Sequence, residues 1–206
     1  MLKKFTSISN GLLLTLSVLI VVLFTTAGDI REYLVDKSSR DSGQLVEMTF
    51  TEESFRKESI RRHRKTESWA STDGDPQLIL EQQMAFSGIE FYMEYAVYPG
   101  EILLYYTTPT HPEYSNANMA VMSPVKGKSG WFTASIPLTE VTSIRIDPTT
   151  LAGNLMNYGD FVVNPQKTLT DFLAPDGYTV LSSTIYSLVL FAILSFIKDF
   201  FTKSSK

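Results

Sequence analysis

Cysteine is absent from the 206 residues, which removes any disulfide framework and any thiol nucleophile. Histidine is nearly absent: only His63 and His111 occur, far apart in the chain. A zinc site or a His-based triad needs several ligands or a nucleophile to converge, and no HExxH, GxSxG, Walker or CxxC pattern is present. These absences point away from an enzyme and from any metal or other cofactor. The net charge of −4 lacks the basic excess of a nucleic-acid footprint, so nucleic acid is not an expected partner. Helical periodicity is missing from the middle of the chain. Without helices alternating with strands there are no βαβ units, and a nucleotide-binding α/β fold is not expected.

Charge is also missing from two long stretches, Phe5 to Gly28 and Gly177 to Ile197. Roughly 20 helical residues cross a hydrocarbon core of about 30 Å, so both segments are long enough to span a membrane. The first reads as an uncleaved anchor. Met1-Leu-Lys-Lys4 followed by Thr25-Thr26-Ala27 also fits a secretory signal with a small-residue cleavage site. Lys3 and Lys4 precede the first span, and Lys198, Lys203 and Lys206 follow the second. Positive residues flanking spans favour the cytoplasm. Both tails are therefore expected inside a bacterial inner membrane, with the middle periplasmic or extracellular. The resulting plan is a tail and first span over 1–28, a linker over 29–44, a β domain over 45–165, a linker over 166–176, a second span over 177–197 and a tail over 198–206.

In the middle the period changes to two. Val46, Met48 and Phe50 alternate with Glu47, Thr49 and Thr51, the pattern of a half-buried strand. Further strands are predicted over 77–86, 89–98, 101–108, 131–138, 141–146 and 160–164, with Pro99-Gly100 as a turn. Six to eight short strands with no helix between them predict an antiparallel β-sandwich. Within Ser143-Ile-Arg-Ile-Asp147-Pro148, the Asp is expected to cap the following turn and the Pro to stop the ladder.

Gly100-Glu-Ile-Leu-Leu-Tyr-Tyr-Thr107, Trp131-Phe-Thr-Ala-Ser-Ile-Pro-Leu138, and Ile144-Arg-Ile-Asp-Pro148 followed by Gly153-Asn-Leu155 and Asp160-Phe-Val-Val163 carry a likeness. Together they resemble the jelly-roll module of bacterial cell-surface polysaccharide glycosyltransferases and related membrane proteins. The similarity covers about residues 85–163, under half the chain. No glycosyltransferase catalytic domain lies within the 206 residues, so the resemblance implies an accessory or sugar-binding role.

Flat aromatic rings stack on sugar faces, which makes Trp69, Tyr105, Tyr106 and Trp131 the glycan-binding candidates. Alternate aromatics also form sandwich cores; adjacent Tyr105 and Tyr106 point to opposite faces, which leaves one outward. Arg61, Arg62, Arg64 and Lys65 form the densest charge run. It suits an anionic surface of phosphate or glycan, or a solvated loop balanced by nearby Glu residues. Ser183, Ser187 and Ser195 place small residues on one stripe of the second span, favouring close helix packing. The expected partners are membrane lipids, a membrane protein or a second copy, and a glycan. The expected function is that of a non-catalytic, membrane-anchored accessory protein in surface polysaccharide assembly or modification. The alternative is an oligomeric structural or regulatory scaffold that binds protein and no sugar.

Overall fold

A computed structural model describes residues 8–175 and 177–204. Lys3, Lys4 and Lys206, which contribute to the expected orientation of the tails, lie outside the described residues. The chain forms two compact units: one holds the segments up to Ser38 and from Lys167 onward, the other Ser39–Gln166.

The first unit is helical. Helix α1 runs Asn10–Asp41, α2 Leu169–Leu173 and α3 Gly177–Ser204. α1 continues without a break past Gly28, through most of the segment predicted as a linker, because Ile30 to Val35 contains no helix-breaking residue. Gly43, at φ 75°, lies just past its end. Thr168 and Asp171 form a reciprocal capping box at the start of α2. α1 and α3 are both long and apolar enough to cross a membrane, yet only 11% and 6% of their apolar windows are buried. Leu23, Phe24 and Phe196 are 67%, 76% and 72% exposed. A core helix of a soluble protein would bury such a surface, and these two helices leave it exposed.

The second unit is mainly β, with twelve strands. Strands β1 Met48–Phe50, β3 Ile60–Arg62, β4 Trp69–Ser71, β6 Met84–Tyr95, β9 Ser123–Pro124, β10 Trp131–Val141 and β12 Leu155–Val163 form a seven-stranded sheet. Strands β2 Arg56–Glu58, β5 Gln77–Leu80, β7 Leu103–Thr107, β8 Met119–Val121 and β11 Ser143–Asp147 form a five-stranded sheet in the order β2-β5-β11-β7-β8. All of the strand pairs within the sheets are antiparallel. The predicted sandwich is therefore present, with more strands than expected.

Two strand boundaries differ from expectation. The predicted strands over 77–86 and 89–98 become β5 and a single long β6 that runs through Gly88. A Cβ on Gly88 would lie 2.6 Å from the Ala134 carbonyl oxygen. The glycine lets β6 and β10 approach each other and does not break the strand. β10 in turn carries Pro137 within a register shift between Ser135 and Thr139, where a missing N–H donor is tolerated.

The core lies between the sheets. Phe86, Phe91, Phe161, Leu78, Leu104, Ile144 and Ile146 are each 0% exposed. Phe161 packs on Phe55 and Phe91 with ring centroids 4.4 and 5.1 Å apart. Asn164 closes the unit. It is fully buried at φ 53°, a left-handed conformation that Asn tolerates. Its side chain accepts from the Ser87 N–H at 2.8 Å and donates to the Val46 and Ala85 carbonyls at 3.0 and 2.9 Å. Arg40 donates to the carbonyls of Asn164 and Pro165 at 3.1 and 3.0 Å.

Candidate functional site

The two outer faces of the sandwich use their polar residues differently. On the five-stranded sheet, Arg145 stands between Ile79 and Tyr105 in register. Its guanidinium binds both Asp147 oxygens at 2.6 and 2.7 Å and Asp75 at 2.8 Å. It also covers Tyr105 and Tyr114, with ring centroids 5.1 and 5.8 Å away. Burial works against the Arg145 charge, but hydrogen bonding and attraction from Asp147 hold its pKa above the ordinary value. Burial pushes the Asp147 carboxyl up despite Arg145.

Asp147 thus serves Arg145, and the turn cap expected of it is supplied by other residues. Thr149 Oγ accepts from the Leu151 N–H at 3.1 Å, and Asn154 binds the Val97 backbone at both its N–H and its carbonyl. Tyr105 faces outward beneath the Arg145 cation. Tyr106 packs against the core and borders a loop depression beside His111.

Trp69 is also occupied by its neighbours. It pairs with Met156 on the core-facing side and lies 6.2 Å from the Tyr158 ring. Its indole N–H donates to Glu52, while Lys57 and Arg62 stand over the ring at 4.6 and 4.4 Å. Burial lowers the Lys57 pKa. Arg62 is further held by Glu52 at 3.0 Å. Arg61, Arg64 and Lys65 are exposed on β3 and the turn that follows it.

The outer face of the seven-stranded sheet is left open. Trp131 pairs with Tyr92 in register, their rings 6.0 Å apart. Glu94 lies abreast of Asn157 on the adjacent strand, and both are exposed. Tyr92 O–H donates to Glu94, which raises the phenol pKa. Lys128 pairs with Glu90 at 2.7 Å and sits 5.2 Å over Trp131. Gly130, at φ 76°, brings the chain in so close that an added Cβ would lie 2.7 Å from the Tyr92 ring.

This strip leads to a 540 Å³ groove at one end of the sandwich, bordered by Glu94, Tyr98, Ser129, Phe132 and Asn157. Tyr98 is 81% exposed there. Of the four aromatic candidates, Trp131 alone lies on this strip; Trp69, Tyr105 and Tyr106 do not. Glu94, Asn157 and Tyr98 were not among the sequence candidates. Only strand register brings Glu94 and Asn157 together, and a single sequence does not show register.

In the helical unit, Ser187 is buried and donates to the Ser183 carbonyl at 2.7 Å. Ser183 and Ser187 border a groove between α1 and α3, while the Ser195 hydroxyl is buried without a partner. Among the described residues, no group of three or more His, Cys, Asp or Glu is placed to hold a metal ion.

No family model matches this sequence, and no curated protein matches it. Solved structures do match. A low-affinity xylan-binding module, CBM86, from Roseburia intestinalis is 11% identical, covers 57% of this chain and 94% of the module, and gives a TM-score of 0.38. The C-terminal CBM6 of LamC from Zobellia galactanivorans is 11% identical over 57% of this chain and 99% of its own, with a TM-score of 0.35. A β-1,3-glucan-binding CBM6 from Bacillus halodurans is 12% identical over 59% of this chain and 97% of its own, with a TM-score of 0.33. TM-scores this low leave the question of ligand to this chain's own residues.

Proposed function

We propose that the chain is a non-catalytic, membrane-anchored glycan-binding protein. The observation that carries this reading is the placement of Glu94 and Asn157 abreast between the Trp131–Tyr92 pair and the exposed Tyr98. Aromatic faces accept the C–H faces of sugar rings, while a carboxylate and an amide side by side bond adjacent hydroxyls. The five-stranded face offers no such combination, because its aromatics and carboxylates are already engaged by Arg145.

Such a surface is shallow and wet, so affinity for one sugar is low. Anchoring by α1 and α3 confines the module to a surface, where weak contacts act at high effective concentration. In this reading Lys198 and Lys203 hold the end of α3 in the cytoplasm, the sandwich lies across the bacterial inner membrane, and the exposed Arg61, Arg64 and Lys65 face anionic phosphate or glycan. The protein then serves surface polysaccharide assembly or modification as an accessory of a membrane complex.

A glycan array followed by calorimetry on residues 39–166, whose core is complete within one unit, tests this. Tyr98→Ala or Glu94→Gln is expected to weaken binding by about tenfold, as when one buried contact is lost, without shifting the melting temperature. Binding to no glycan, together with a full-length protein that sediments as a stable oligomer, would replace the proposal with the protein-binding scaffold.

A further inference from the structure

Between α1 and α3, bordered by α2, lies a groove of 480 Å³, within the usual size of a small-molecule site. Asn10 accepts a hydrogen bond from Lys198 at 2.9 Å, so the start of α1 adjoins the end of α3. Leu14, Val18 and Leu188 wall one end, with Ser187 beside them; Thr25, Asp29 and Thr179 border the other, beside the apolar Phe172 and Pro175. The Thr25 hydroxyl donates to the Val21 and Val22 carbonyls at 3.2 and 3.0 Å, so its hydrogen is committed to the helix backbone. Asp29 is the one ionisable group on its walls among the described residues.

We propose that this groove seats one hydrocarbon chain of a membrane lipid whose headgroup is uncharged and rich in hydroxyls, with that headgroup at the Asp29 end. The inference rests on the membrane reading above and not on the glycan site. Lipid tails are as apolar as the groove wall, so transfer of a chain into it gains little hydrophobic energy. Selection then falls to shape and to the polar end. A slot left unfilled forfeits dispersion contacts along its length, which one chain restores. At the mouth, a carboxylate accepts hydrogen bonds from hydroxyls and repels a phosphodiester. A glycosyl headgroup fits that mouth, and an anionic phospholipid does not.

The full-length protein in nanodiscs of equal monoglucosyl diacylglycerol and phosphatidylglycerol, released gently for native mass spectrometry, reports which lipid is retained. The glucosyl lipid is expected to exceed phosphatidylglycerol by about threefold or more, a modest electrostatic preference at a partly wet mouth. Asp29→Asn should remove that preference. Val18→Phe with Leu188→Phe should fill the slot and abolish retention, whereas Leu23→Phe, on a side chain 67% exposed, should retain lipid as wild type does. Equal retention of the two lipids by wild type, or unchanged retention in the filled variant, overturns the proposal. If the filled variant does not fold, the comparison of wild type with Asp29→Asn decides alone. Glycan binding by residues 39–166 is read separately, so either proposal can fail without the other.

Discussion

Trp69 and Trp131 sit in the same sheet and have opposite fates. Trp69 lies at the core edge with two cations over its ring and a carboxylate on its indole N–H. Trp131 stands on the outer face beside Tyr92, near the exposed side chains of Glu94 and Asn157. The same contrast separates the two outer faces: one closes its charges around Arg145, the other leaves Glu94, Asn157 and Tyr98 to solvent. An aromatic residue indicates a binding surface only when its neighbours leave it open: Trp69 is held by two cations and a carboxylate, whereas the one cation over Trp131, Lys128, is itself 55% exposed.

The contrast is broken most severely at Trp69. Trp69→Ala is expected to destabilise the sandwich by about 3 kcal/mol, because it opens the core edge. Trp131→Ala should cost under about 1 kcal/mol, in line with surface substitutions, while glycan affinity falls. Chemical denaturation of both variants beside calorimetry checks the split; equal losses of stability would erase the distinction. A smaller effect is expected at Arg145. Arg145→Met leaves Asp147, with a side chain only 12% exposed, without its cation. The cost should be about 2 kcal/mol, discounted from that of a fully buried pair, and glycan affinity should stay unchanged.

The smallest effect is a pH dependence with an unusual sign. Burial raises the folded Asp147 pKa above its ordinary 3.8, so the folded state takes up this proton before the unfolded chain does. Stability from this group therefore rises as pH falls from above the folded pKa towards 3.8 and is lost again as pH climbs. Subtracting the pH–stability curve of Asp147→Asn from that of wild type isolates it. A difference with the opposite slope would mean that Arg145 attraction outweighs burial.

The sandwich was legible because Val46, Met48 and Phe50, and Ile144 and Ile146, alternate clearly enough to set a period of two. Strands β2, β3, β4 and β8 were not, since three residues each hold too few repeats to show a period. Gly88 was misleading for another reason: a glycine needed for close strand approach looks in sequence like a break. The candidate site was legible at Trp131 alone. Glu94 and Asn157 are 63 positions apart by number and become neighbours only through register, and the engagement of Tyr105 by Arg145 depends on the same pairing.

Asn164 and Arg40 bring the sandwich's entry and exit strands to one point, since Arg40 precedes β1 while Asn164 and Pro165 follow β12. Mechanically, the module resembles a bead whose thread enters and leaves through one opening. A pull on either flanking segment loads this clasp and the β1–β12 pair first, and the tension does not run through the body. Strands β6 and β10, which carry Tyr92, Glu94 and Trp131, lie outside that first-loaded pair, while Asn157 sits near the opposite end of β12 from Val163, where β12 meets Met48 of β1.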